Sequence, residues 1–127
     1  MNYGFSKTVD LTYEKAIEKV TAELKKEGFG VLTTIDVRDT LKKKLNVEFS
    51  KYMILGACNP PFAHQSLQIE EELGLLLPCN VIVYKKEGKT KVSVFDPMVM
   101  TKVIDNPNMA PIAQQVKEKL ERALAAV

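Results

Sequence analysis

Six consecutive residues, Tyr52 to Ala57, read YMILGA with no polar alternation. A run of that length and those flanks predicts a strand buried on both faces. Two residues on, Asn59-Pro60-Pro61 limits what can follow. Proline lacks a backbone N–H and is welcome in the first turn of a helix, where that donor would be unpaired anyway. Asparagine just before it is a good capping residue. The chain is therefore expected to pass from a buried strand into a helix here, with the helix running to Leu73 and Gly74 as its stop.

The remaining elements follow from periodicity and turn chemistry. Asn2 to Val9 alternates weakly and predicts a first strand. Asp10-Leu11-Thr12 offers caps for a helix with Tyr13, Ala16, Ile17, Val20 and Leu24 on one face. Gly28 suits a left-handed helix end, with Phe29 folding back as its apolar partner. Val31, Thr33 and Ile35 alternate as a second strand, and Asp36 caps a short helix carrying Val37, Leu41 and Leu45. Val81 to Tyr84 and Lys91 to Phe95 read as strands joined by a compact hairpin through Lys86-Glu87-Gly88-Lys89. Asp96-Pro97 closes it, and a short helical piece runs from Met98 to Ile104. The last helix has Asn108 as cap, Pro111 in its first turn, and a stripe of Ile112, Ala113, Val116, Leu120, Ala123, Leu124 and Val127. The pattern is one α+β domain over residues 1–127, with about five strands and helices packed against the sheet.

Composition narrows the function classes. At 127 residues, 46% hydrophobic and 27% charged, the chain is a globular domain of ordinary core size. A net charge of +2 and a pI near 8.5 fall short of a nucleic-acid signature, so no nucleic-acid partner is expected. No apolar run approaches the roughly 18 residues of a membrane helix, and no membrane association is expected. The expected location is cytoplasmic, with both cysteines reduced.

The candidate chemistry lies around Cys58. A metal site would recruit Cys58, His64 and Cys79, because thiolate and imidazole are natural zinc or copper ligands. Cys58 and His64 are expected to be neighbours. If strand, helix and strand form a parallel crossover, Cys79 starts some 20 Å away at the opposite end. The residues from Gly74 to Pro78 could carry the chain back by about 16 Å if extended. Inert, buried thiols are the alternative. Catalysis would need His64 to activate Cys58; Ser66 lies on a different helix face from His64. No vicinal cysteine motif supports redox chemistry of the thioredoxin kind. The two prolines remove backbone donors that a phosphate would use. Glu70-Glu71-Glu72, near the expected helix end, opposes the helix dipole. It reads as a solvated run or as an acidic patch for a basic surface such as Arg38 with Lys42-Lys43-Lys44 across a dimer.

Leu55-Gly56-Ala57-Cys58-Asn59-Pro60-Pro61, then Ala63-His64, and later Gly74-Leu75-Leu76-Leu77-Pro78-Cys79-Asn80-Val81 resemble the domain-of-unknown-function 302 family. The resemblance extends over nearly the whole chain. It implies a small α+β domain with an antiparallel or mixed sheet, helices packed on it, and pairing as a homodimer. It brings no agreed activity, and the cofactor is unknown. Cys58, Asn59, Pro60, Pro61, His64, Pro78, Cys79 and Asn80 are the signature residues, none with an assigned role.

Three readings follow. In the first, a homodimeric module binds a small ligand or metal ion near Cys58, Asn59, His64, Cys79 and Asn80, with Phe62, Tyr52 and leucines as walls. In the second, the dimer surface is the function, the cysteines are packing, and Met98, Val99, Met100 and Met109 make an adaptable contact. In the third, Cys58 is a nucleophile and His64 its base.

Overall fold

The computed structural model describes residues 1–127. In chain order it contains β1 (Gly4–Val9), α1 (Tyr13–Lys26), β2 (Gly30–Asp36), α2 (Val37–Leu45), β3 (Tyr52–Cys58), α3 (Pro60–Ile69), a 3₁₀ segment (Glu71–Leu76), β4 (Cys79–Lys86), β5 (Lys89–Phe95), a 3₁₀ turn (Pro97–Val99), α4 (Met100–Val103) and α5 (Met109–Ala125). The five strands form one antiparallel sheet in the order β1-β5-β4-β3-β2. The α+β expectation holds, with every pairing antiparallel.

Local chemistry sets the ends of these elements. Thr12 caps α1 by accepting from the Lys15 N–H. At the other end Gly28 takes φ +88°, its N–H reaching the Lys25 carbonyl while the Phe29 N–H reaches that of Leu24. This is a Schellman closure, and Phe29 is buried beside it. Asp36 accepts from the Asp39 N–H to start α2, and Asn46, at φ 53°, ends it. Glu87 and Gly88 both have positive φ, the type I′ geometry that matches the twist of a two-residue hairpin. Asn108, by contrast, stands before α5 without a side-chain cap bond; its N–H donates to Asn106 Oδ1 instead.

The core lies between one face of the sheet and the helices. Val81, Val83, Val92, Val94, Leu55 and Ala57 point into it from the strands. Ala16, Val20 and Leu24 of α1, with Leu120, Ala123 and Leu124 of α5, close it from above. The other sheet face carries no such cover. One row there runs Ile35, Ile54, Ile82, Ser93 and Ser6 across all five strands, ending in a 2.8 Å Ser6–Ser93 hydroxyl bond. Beside it Tyr52 stacks on Tyr84 at 5.3 Å between ring centroids. The expectation that β3 is buried on both faces is therefore corrected. Only Leu55–Ala57 are buried; Tyr52–Ile54 are half-buried, Met53 packing against the edge of the core and Tyr52 and Ile54 lying on the open face among side chains of neighbouring strands.

The expected helix to Leu73 is also shorter. α3 ends at Ile69, Glu70 turns extended, and Glu71 and Glu72 open the 3₁₀ segment. The break takes the carboxylates away from an unfavourable helix C-terminus and puts two of them in a first turn, where the local dipole favours negative charge.

Candidate functional site

β3 and β4 are antiparallel neighbours, and Ala57 pairs directly with Cys79. The parallel crossover that would have parted the cysteines is thus not formed. α3 leaves the end of β3, the 3₁₀ segment returns the chain to that same end, and the Leu77–Pro78 peptide is cis. Cys58 and Cys79 consequently border one half-open cavity of about 360 Å³. Phe62 and Ala63 of α3, Ala113 and Val116 of α5, and Leu73 supply much of its apolar wall.

Two polar side chains at this wall are already engaged. Ser66 Oγ donates to the Phe62 carbonyl at 2.7 Å, and Asn59 Nδ2 donates to the Glu27 carbonyl at 3.3 Å. Asn59 occupies the cap position of α3, but its side chain makes no cap bond and bridges to α1 instead. That leaves the thiols and the hydroxyl of Thr33, which also lines the cavity. Cys79 is buried, and desolvation, with a smaller contribution from Cys58, pushes its pKa up to about 11. It is a neutral thiol near neutral pH, a small apolar surface with a weak donor. Cys58 is half-buried.

The other candidates are dispersed. His64 is exposed on α3 and does not line the cavity, whereas its neighbours Phe62, Ala63 and Ser66 do. Asn80 alternates with Cys79 along β4 and lies on the open sheet face with Tyr52, which likewise is no wall of the cavity. No three of the His, Cys, Asp and Glu residues come together to hold a metal ion. The soft donors that do border the cavity are the two thiols and the thioethers of Met100 and Met109, a set suited to soft cations rather than to hard ones. Met100 and Met109 are buried, which corrects their expected part in an adaptable surface. Sequence reasoning missed Met100, Ala113 and Leu73 as cavity residues. Their only signal was apolar character, which they share with the rest of the core.

No helix of the structure is long and apolar enough to cross a membrane. The sequence model of the family described as Domain of unknown function DUF302 matches residues 5–127. A solved crystal structure of an uncharacterized conserved DUF302 protein from Bacillus stearothermophilus is similar to this chain, with a TM-score of 0.92 and 29% sequence identity. The similarity covers 99% of this chain and 98% of that one. No match is found among curated proteins.

Proposed function

The chain belongs to the DUF302 family, whose description assigns no activity, and we propose that it is a binding module taking a small, uncharged, largely apolar molecule into the cavity beside Cys58 and Cys79. The observation that carries this reading is the cavity's chemistry. It is large enough for about a dozen groups of water size, at roughly 30 Å³ each. Its apolar wall gives water few partners, and Ser66 and Asn59 spend their donors on backbone carbonyls. A ligand there gains chiefly by leaving water, with the thiols and the Thr33 hydroxyl as the remaining polar contacts. One ligand held by both Asn59 and Asn80 does not fit this arrangement, because Asn59 lines the cavity and Asn80 lies on the open sheet face.

Indole and n-octanol are suitable probes. Saturation at about 100 times the dissociation constant should stabilise the fold by about 2.7 kcal/mol. Ala63→Trp, which fills the cavity from a half-buried position, should abolish this stabilisation while circular dichroism stays native. Ala113→Leu should reduce it. If neither probe moves the unfolding transition of the unmodified chain, the binding reading fails.

A further inference from the structure

Four sulfurs border the half-open cavity: the thiols of Cys58 and Cys79 and the thioethers of Met100 and Met109. No charged side chain and no histidine lines it. The two thiols lie on adjacent strands. Ala57 pairs with Cys79, so Cys58 stands one residue past that pair, at the end of β3 where β4 begins. A strand spacing near 4.8 Å and a rise near 3.3 Å per residue put the two Cα atoms roughly 6 Å apart. Cys79 is 7% exposed, and neither thiol takes part in a hydrogen bond. A buried polar group without a partner is uncommon. A charge on Cys58 also raises the Cys79 pKa further, as two sulfurs close together require.

We propose that Cys58 and Cys79 together bind one copper(I) ion. The donor chemistry selects the ion. Thiolate and thioether ligands favour copper(I), whereas calcium and magnesium require oxygen. Zinc takes four ligands at a structural site, and two thiols with no imidazole or carboxylate beside them fall short. Copper(I) is satisfied by two or three sulfurs. Each thiol releases its proton to solvent as its sulfur takes the metal, and the copper stays monovalent, so no electron is exchanged. The complex then carries one net negative charge. α3 starts two residues after Cys58, and the positive end of its dipole favours that charge. The opening of the cavity gives the ion a way in, and Met100 and Met109 bring further soft atoms to the same space. This inference is separate from the apolar-ligand reading, since copper is held by sulfur and indole by the wall.

An anaerobic titration of the reduced full chain with copper(I), in competition with the coloured chelator bicinchoninate, tests it. The unmodified protein should withdraw one copper ion per chain from the chelator, and X-ray absorption should show sulfur alone around the metal. Loss of groups that only support metal ligands costs about 10–100-fold in affinity, so removal of a ligating thiol should cost about a hundredfold or more. Cys58→Ser and Cys79→Ala should each do so. Alanine keeps the buried position of Cys79 apolar, and circular dichroism should show both variants folded. Cys58→Ser should still be stabilised by indole, which keeps a failure here distinct from a failure of the cavity reading. Failure to take copper from the chelator, nitrogen or oxygen bound to the copper, or unchanged affinity in either folded variant would each overturn the proposal.

Discussion

The Asn59 side-chain amide donates to the Glu27 backbone carbonyl at 3.3 Å, joining the end of α1 to the start of α3. Asn59 is buried and Glu27 half-buried, so the bond is partly shielded from water. Asn59→Ala should cost about 1–3 kcal/mol in urea denaturation. Asn59→Asp should cost at least as much, since a carboxylate would face the carbonyl oxygen.

Cys79 gives a pH-dependent test. Its thiol is displaced upward from 9.0 to about 11, so an unfolded chain loses the proton before the folded one does. The associated stability is complete below pH 9 and is lost as pH rises towards 11. Urea midpoints measured at pH 8 and pH 10.5 should therefore differ less in Cys79→Ala than in the unmodified chain. Iodoacetamide should label Cys58 well before Cys79 in the native state, and both after unfolding.

Glu23 titrates in the opposite sense. Hydrogen bonds from Lys26 at 2.9 Å and Lys19 at 3.0 Å hold its carboxyl below the usual glutamate value. Its contribution is present above about pH 4.5 and is lost as pH falls through the lowered folded value. Glu23→Gln should flatten the acid limb of the stability curve, read by chemical denaturation between about pH 3 and 6.

Gly56 is required by contact rather than by its backbone angle. A Cβ there would overlap Thr33 Oγ1 and come within 2.8 Å of Pro78 Cγ. Gly56→Ala should destabilise by about 1–3 kcal/mol. Adding Thr33→Ala should recover part of that loss, since the proline stays in place; thermal unfolding of the single and double variants decides it.

Packing alone should separate Leu120 from Val103. Leu120 is fully buried and Val103 is 66% exposed. Leu120→Ala should cost about 2–5 kcal/mol and Val103→Ala no more than about 0.5 kcal/mol, measured in the same denaturant series.

The local features of this protein were legible in its residues. Thr12, Gly28, Asp36 and the Glu87-Gly88 pair each act on backbone groups a few positions away, so their effect does not await the rest of the fold. The stripe on α5 worked for the same reason: helical spacing brings Ala113, Val116 and Leu120 to one side whatever they pack against. Asn59 shows where this ends. Its type and position announced a cap, but a carbonyl 32 residues earlier in the chain took its side chain.

The sequence alone determined most of the elements, several of their ends and the α+β class, because these rest on short-range sterics, turn chemistry and periodicity; the end of α3 at Ile69 was not among them. Tertiary structure alone decided the strand order, which pairs Ala57 with Cys79 and Gly4 with Phe95. Such pairings form only when the whole core closes, and no local signal encodes them. They put both thiols beside one cavity, sent Asn80 to the opposite sheet face, and laid α2 against β3 and β2 with none of its residues fully buried.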